Sequence, residues 1–213
     1  MAALLAQSDL DCLFSALRQH GYRVVGPTVR DGAIVYAELS SADELPAGWT
    51  DEQGPGRYRL VRREDEACFG YAVGPHSWKA ELLPPRVRLW QARRDLDDVA
   101  EGAESVPTAF VGVRPCELAA IEIQDRVFLG GAHVDADYAA RRADAFIVAV
   151  DCADPSDLCF CTSVGGGPGA REGFDLALIE LLEPTHRLAH QFWRTLQIPL
   201  RVCDVNMAKI GGQ

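Results

Sequence analysis

The residues in this chain best suited to chemistry are cysteines. There are seven, Cys12, Cys68, Cys116, Cys152, Cys159, Cys161 and Cys203. The number is odd, the spacing is uneven, and no basic stretch precedes the apolar residues at the start, so a disulfide framework is disfavoured and reduced thiols are expected. Cys12, Cys68 and Cys203 stand alone and read as small apolar groups. Cys116, Cys152, Cys159 and Cys161 are closer together, separated by 35, six and one residues. Four thiolates suit a [4Fe–4S] cluster or a tetrahedral zinc. No Cys-x-x-Cys knuckle occurs, unlike a zinc ribbon, and the bacterial ferredoxin run of clustered cysteines is absent as well. On spacing alone, an iron–sulfur site, a zinc site and unligated thiols all stay open.

Glycines follow the last cysteine closely. Gly165, Gly166 and Gly167, with Gly169 beyond them, would let the backbone approach a cluster and offer N–H groups to its sulfurs. A plain surface loop is the alternative. The stretch is not a phosphate-binding fingerprint, because no strand leads directly into it and no Lys-Ser/Thr follows. Arg114 and Glu117 flank Cys116, either tuning its charge or forming an ordinary surface pair. His186 and His190 stand four apart, but no carboxylate signature lies between them, and they read as surface or core residues. Ser163 has no nucleophile-elbow context. Asp95, Asp97 and Asp98 read as a solvated turn. Trp49, Trp78, Trp90 and Trp193 read as packing or interface anchors.

The elements that must position these cysteines are two apolar runs. Residues 108–113 are nearly continuously apolar, as are 146–150, and both suit buried strands. The first runs into Arg114, Pro115 and Cys116, the second into Asp151 and Cys152. If the two strands are parallel neighbours, their carboxyl ends share the sheet edge where open α/β sheets gather functional groups. Cys116 opens a helical pattern to Leu129, with Pro115 at its first position, and the dipole there favours a thiolate. A second, short helix is expected over 135–143 and a Cys- and Gly-rich loop over 151–173.

Elsewhere, the spacing predicts a helix over 8–20 and strands at 22–25 and 33–39, joined around Arg30-Asp31-Gly32. It predicts a loop over 40–57, a strand at 57–62 and a short helix after Ser77. A further strand is expected at 87–91, a short strand is one reading of 68–73, and helices are expected at 174–183 and 186–196. The expected class is α/β of a mixed α+β kind. The sheet is mixed with flanking helices, antiparallel in its first half and parallel strand–helix in its second.

Composition sets the outer bounds. The 213 residues carry 21 Lys+Arg against 31 Asp+Glu, a net charge of −10. Phosphate backbones repel such a chain, so nucleic acid is not an expected partner. The longest apolar runs fall far short of the roughly 20 residues that span a bilayer, so no membrane insertion is expected either. The expected location is the cytoplasm.

One ordered set of motifs resembles a known family. It comprises Gly112-Val-Arg-Pro-Cys-Glu-Leu-Ala-Ala-Ile121, Asp137-Tyr138, Arg141-Arg142, Cys152, Cys159-Phe-Cys-Thr-Ser163, the glycines from 165, and Gly173-Phe-Asp-Leu176. Gly74-Pro-His-Ser-Trp-Lys79, followed by Leu83-Pro84-Pro85, precedes it. The pattern resembles the amino-terminal domain of the iron–sulfur beta subunit of soluble sulfhydrogenases, and the related A subunit of anaerobic sulfite reductases. The resemblance implies electron transfer through a [4Fe–4S] cluster, with Cys116, Cys152, Cys159 and Cys161 as the matching cysteines. It implies two kinds of partner, a flavin- and NAD(P)-binding reductase subunit and a hydrogenase or sulfite-reductase subunit. Such subunits continue into a ferredoxin-like domain with Cys-x-x-Cys runs, whereas only Cys203 follows Cys161 here. The expected division is therefore a domain at 1–183 and a divergent helical tail at 184–213. The alternative functions are a non-redox zinc or thiol interaction module that kept the fold, and a small flavin-binding reductase.

Overall fold

The computed structural model describes residues 2–87, 105–182 and 187–192. In chain order the elements are β1 (Ala2–Ala6), α1 (Leu10–Gln19), β2 (Arg23–Arg30), β3 (Ala33–Glu38), β4 (Trp49–Gly54), β5 (Arg57–Arg62) and α2 (Lys79–Leu82). There follow β6 (Thr108–Val113), α3 (Pro115–Phe128), α4 (Ala136–Ala143), β7 (Ala145–Val150), β8 (Leu176–Leu181) and β9 (Arg187–Phe192).

Seven strands form one sheet in the order β1-β9-β8-β7-β6-β2-β3, and β4 and β5 form a separate hairpin. β2 and β3 are antiparallel. Asp31 (φ 51°) and Gly32 (φ 73°) turn the chain between them, the two positive φ values that a tight hairpin turn requires. β2, β6, β7 and β8 run parallel. β9 is antiparallel to β8 and to β1. The sheet is thus mixed, antiparallel through β2–β3 and parallel through β6–β8, with helices packed on it.

The apolar runs are continuous because both faces of the central strands are covered. Alternate residues point to opposite sides. Val24, Ala109, Val111, Val148 and Val150 join Leu10, Phe14 and Leu17 of α1 in one core layer. Val25, Phe110, Val113, Ile147 and Ala149 join Trp78, Leu82, Leu118, Ile121 and Tyr138 of the α2, α3 and α4 regions in the other. α1 buries Leu10, Leu13, Phe14 and Leu17 at helical spacing, as the sequence pattern implied.

Three expectations change. The helix expected over 174–183 is instead β8, paired with β7 through Val148–Leu176 to Val150–Leu178. Its Leu, Ala and Glu residues favour a helix locally, but a short apolar run beside a buried parallel strand gains more as a sheet member. The helical tail expected from 184 begins with a strand over Arg187–Phe192, paired on both sides; residues 193–213 lie outside the described residues. The loop expected over 40–57 contains β4, whose polar Thr-Asp-Glu-Gln sequence hid it. Residues 68–73 form no strand. The strand expected at 87–91 lies outside the described residues from 88 onward. The Ser77 hydroxyl accepts the Lys79 backbone N–H at 3.2 Å, consistent with the expected start of a short helix.

Candidate functional site

Two parallel strand ends build the site. β6 is buried at every position and pairs in parallel with β7. Their carboxyl ends therefore open on one edge of the sheet, releasing Arg114-Pro115-Cys116 from one strand and Asp151-Cys152 from the next. The register slips between Val111 and Val113, where Gly112 has φ +90°. This bulge re-aims the strand just before Arg114.

The loop after β7 brings Cys159 and Cys161 back to that edge. The Cys152 N–H donates to Pro168 O at 2.9 Å, which ties the start of the loop to its end. Cys161–Val164 makes one 3-10 turn, closed by Gly165 in the left-handed region. The Gly165 N–H donates to Thr162 O at 3.3 Å and the Gly166 N–H to Cys161 O at 2.8 Å. Those two donors thus close the turn. Gly167 lies against Cys161: a Cβ on it would sit 2.8 Å from Sγ. The Cys159 sulfur accepts the Ser156 backbone N–H at 3.3 Å.

Cys116 and Cys152 feel the thiols around them. Burial pushes Cys116 up to about 11, and the neighbouring Glu117, Cys152 and Cys161 push the same way. Burial also raises Cys152; the Arg114 guanidinium opposes the shift, while Cys159, Cys161 and Asp154 add to it. Cys116, Cys152 and Cys161 are half-buried and Cys159 is exposed. Among the described residues, no three His, Cys, Asp or Glu side chains close tightly enough to hold one metal ion. The thiols share an edge without converging on a point. Beside them lies a groove of about 370 Å³, walled by Pro115, Leu118 and Ala119 of α3 and by Gly165, Gly166 and Gly167.

A network behind the cysteines holds the edge in place. Arg114 and Glu117 are 1% and 7% exposed, which corrects the surface-pair alternative. The Arg114 guanidinium donates to Asp151 O at 2.8 Å, to Tyr71 O at 3.1 Å and to Phe69 O. Glu117 accepts the Arg114 backbone N–H at 2.9 Å and the Tyr36 hydroxyl at 2.6 Å. Asp151 accepts the Ala170 N–H at 2.8 Å. Arg63 bridges to Asp154 at 2.9 Å, inside the cysteine loop, and to Asp65. Glu180 of β8 accepts the Cys68 and Phe69 N–H groups at 2.8 and 2.9 Å. The sequence pattern singled out neither Arg63 nor Glu180. Their partners lie far along the chain, and no local spacing marks them.

The remaining candidates fall elsewhere. Cys68 is buried, as expected of an apolar cysteine, and Cys12 is half-buried. Trp78 is buried, stacked 4.0 Å from Tyr36 and 4.9 Å from Phe110. Trp49 packs under Arg62. His190 lies in β9 rather than on a helix. His186, Asp95, Asp97, Asp98, Trp90, Trp193 and Cys203 lie outside the described residues. No helix among the described residues is long and apolar enough to cross a membrane. Comparison of the chain with family models, with curated proteins and with solved structures found no match.

Proposed function

We propose that Cys116, Cys152, Cys159 and Cys161 hold a [4Fe–4S] cluster and that the chain is an electron-transfer subunit or accessory protein of an oxidoreductase complex. The observation that carries this reading is the arrival of four thiols at one sheet edge, from two parallel strand ends and the loop that follows the second. The donor set fits the group. A single zinc needs its ligands at roughly 2.0–2.3 Å from one point, whereas a cuboidal cluster holds its four cysteines apart by its own width. Four cysteine thiols are the donor set that such a cluster takes. A Cβ on Gly167 would sit 2.8 Å from Cys161 Sγ, so the glycine lets that thiol stand where it does.

The cluster supplies one-electron storage; the rest is done by this chain. The parallel strands place Cys116 and Cys152. The glycine turn keeps Cys161 against a backbone with no side chain. Buried Arg114 and the Arg63–Asp154 pair hold the loop. Cys159 stands exposed beside Phe160, 69% exposed, so electrons have a short exit to a docked protein. By its resemblance to sulfhydrogenase beta subunits, the chain's partners are a flavin- and NAD(P)-binding reductase and a hydrogenase or sulfite-reductase subunit, in the cytoplasm.

Anaerobic purification, with iron, sulfide and zinc quantified per chain, tests the reading. About four irons and four sulfides are expected, with visible absorption that bleaches on reduction. Cys159→Ser and Cys161→Ser should lose the iron while Cys12→Ser keeps it. Zinc alone would replace this reading with that of an interaction module, and equal iron in all three variants would remove the ligand set.

A further inference from the structure

We propose that Arg114 is the residue that both positions the cysteine edge and sets its charge, acting as a fixed buried cation behind the cluster. The inference rests on the cluster reading above and concerns what tunes that site.

The geometry behind it is unusual for an arginine. Arg114 sits between the last residue of β6 and the first of α3, two residues before Cys116, yet its side chain turns inward and is 1% exposed. Its guanidinium spans three carbonyl oxygens from two separate segments. Asp151 O belongs to the residue just before Cys152, while Phe69 O and Tyr71 O belong to the strand-free stretch after β5. The Tyr71 ring lies 4.8 Å from Cζ. A planar fork with five donors can make such a span, and an ammonium cannot. Cys116 and Cys152 are therefore tied to one side chain, the first through the backbone and the second through the carbonyl beside it.

Carbonyl oxygens hold the guanidinium without cancelling its charge. Glu117 and Glu180 lie within electrostatic reach of Arg114 and offset part of its charge, but their hydrogen bonds go elsewhere than the guanidinium. Glu117 accepts Tyr36 and the Arg114 backbone N–H, and Glu180 accepts Cys68 and Phe69. Asp154, on the cysteine loop, is paired with Arg63 at 2.9 Å and faces Cys152 with the opposite sign. A nearby positive charge favours the more negative, reduced form of a cluster and raises its potential. A negative charge does the reverse. Arg114 and Asp154 therefore pull the potential in opposite directions.

The test uses the full chain, purified anaerobically, with iron content and the midpoint of a one-electron reductive titration by dithionite as readouts. Arg114→Gln removes the charge and should move the midpoint to a more negative potential. Arg114→Lys keeps the charge but cannot span the three carbonyls. It should lose iron occupancy, while the fraction still loaded keeps a midpoint near that of the wild type. Asp154→Asn, on the exposed side of the loop, should move the midpoint to a more positive potential. It leaves the Arg114 fork intact, so it reads the effect of charge at this site even if Arg114→Gln does not fold. A wild-type midpoint in either Arg114→Gln or Asp154→Asn, or full occupancy in Arg114→Lys, would overturn the inference alone. A wild-type chain that takes up no iron would overturn the cluster reading and this inference with it.

Discussion

At the scale of single residues, the same side chain behaves differently according to what surrounds it. Cys68 is 2% exposed, and burial pushes its thiol up to about 12, with Glu180 adding to the shift and the Gln7 hydrogen bond opposing it. The folded state therefore keeps the proton above the pH at which the unfolded chain releases it. Stability from this group is complete below its ordinary value of 9.0 and falls as pH rises toward 12, by up to about 1.4 kcal/mol per pH unit. Cys68→Ala should flatten the alkaline limb of stability against pH, read by urea unfolding at pH 8 and pH 10.5. Gly167 makes the second residue-scale prediction. Its φ is +36°, and a Cβ would press on Cys161 Sγ. Gly167→Ala should cost roughly 1–2 kcal/mol in a thermal melt and lower iron uptake, because the thiol itself must move. The four candidate thiols were legible from residue type and spacing. Arg63 was not, because an arginine's partner 91 residues away leaves no trace in its own neighbourhood.

Among the elements, β6 and α3 form the unit that delivers Cys116. Pro115 suits the first helical position because its missing N–H has no helical partner there, and Glu117 accepts the N–H of Arg114 just ahead of it. The bulge at Gly112 brings the backbone close to Phe69 and Pro27, at 3.1 and 3.2 Å from an added Cβ, with φ +90°. Gly112→Ala should destabilise by about 2 kcal/mol or more, seen as a lower urea midpoint, and should disturb cysteine placement with it. On the outer side, Asp125 of α3 accepts the Tyr138 hydroxyl at 2.6 Å and Arg142 Nε at 3.0 Å, both from α4. Asp125→Ala leaves both donors without this acceptor and should cost about 2 kcal/mol, with little effect on iron content. That contrast separates helix docking from the site. The elements with long amphipathic or fully apolar patterns, α1, α3, β6 and β7, were legible in advance. β8 and β9 were read as helices, because Leu-Ala-Leu-Ile-Glu-Leu carries helix-forming residues and is too short for its period to decide.

For the molecule as a whole, the cysteine loop belongs to the site and the sheet to the fold. Residues 151–173 carry three of the four thiols and cross from β7 to β8, anchored by Arg63, Arg114 and Asp151. A group bound only by the folded state adds stability by linkage. The iron-loaded chain should therefore melt higher than the chelator-stripped chain, and limited proteolysis should cut the stripped form first within 151–173. Equal cleavage of the two forms would separate the loop from metal binding. The order of residues along the chain determined the mixed α/β class, the two buried strands ending at cysteines, and the thiol chemistry available. These follow from periodicity and residue type, which are local properties. Only the tertiary structure decided that β6 and β7 are parallel neighbours, that β8 and β9 extend the sheet, and that Arg114 is buried across three carbonyls. Each of these depends on contacts between distant segments, where burial and pairing outweigh the preference of any single stretch.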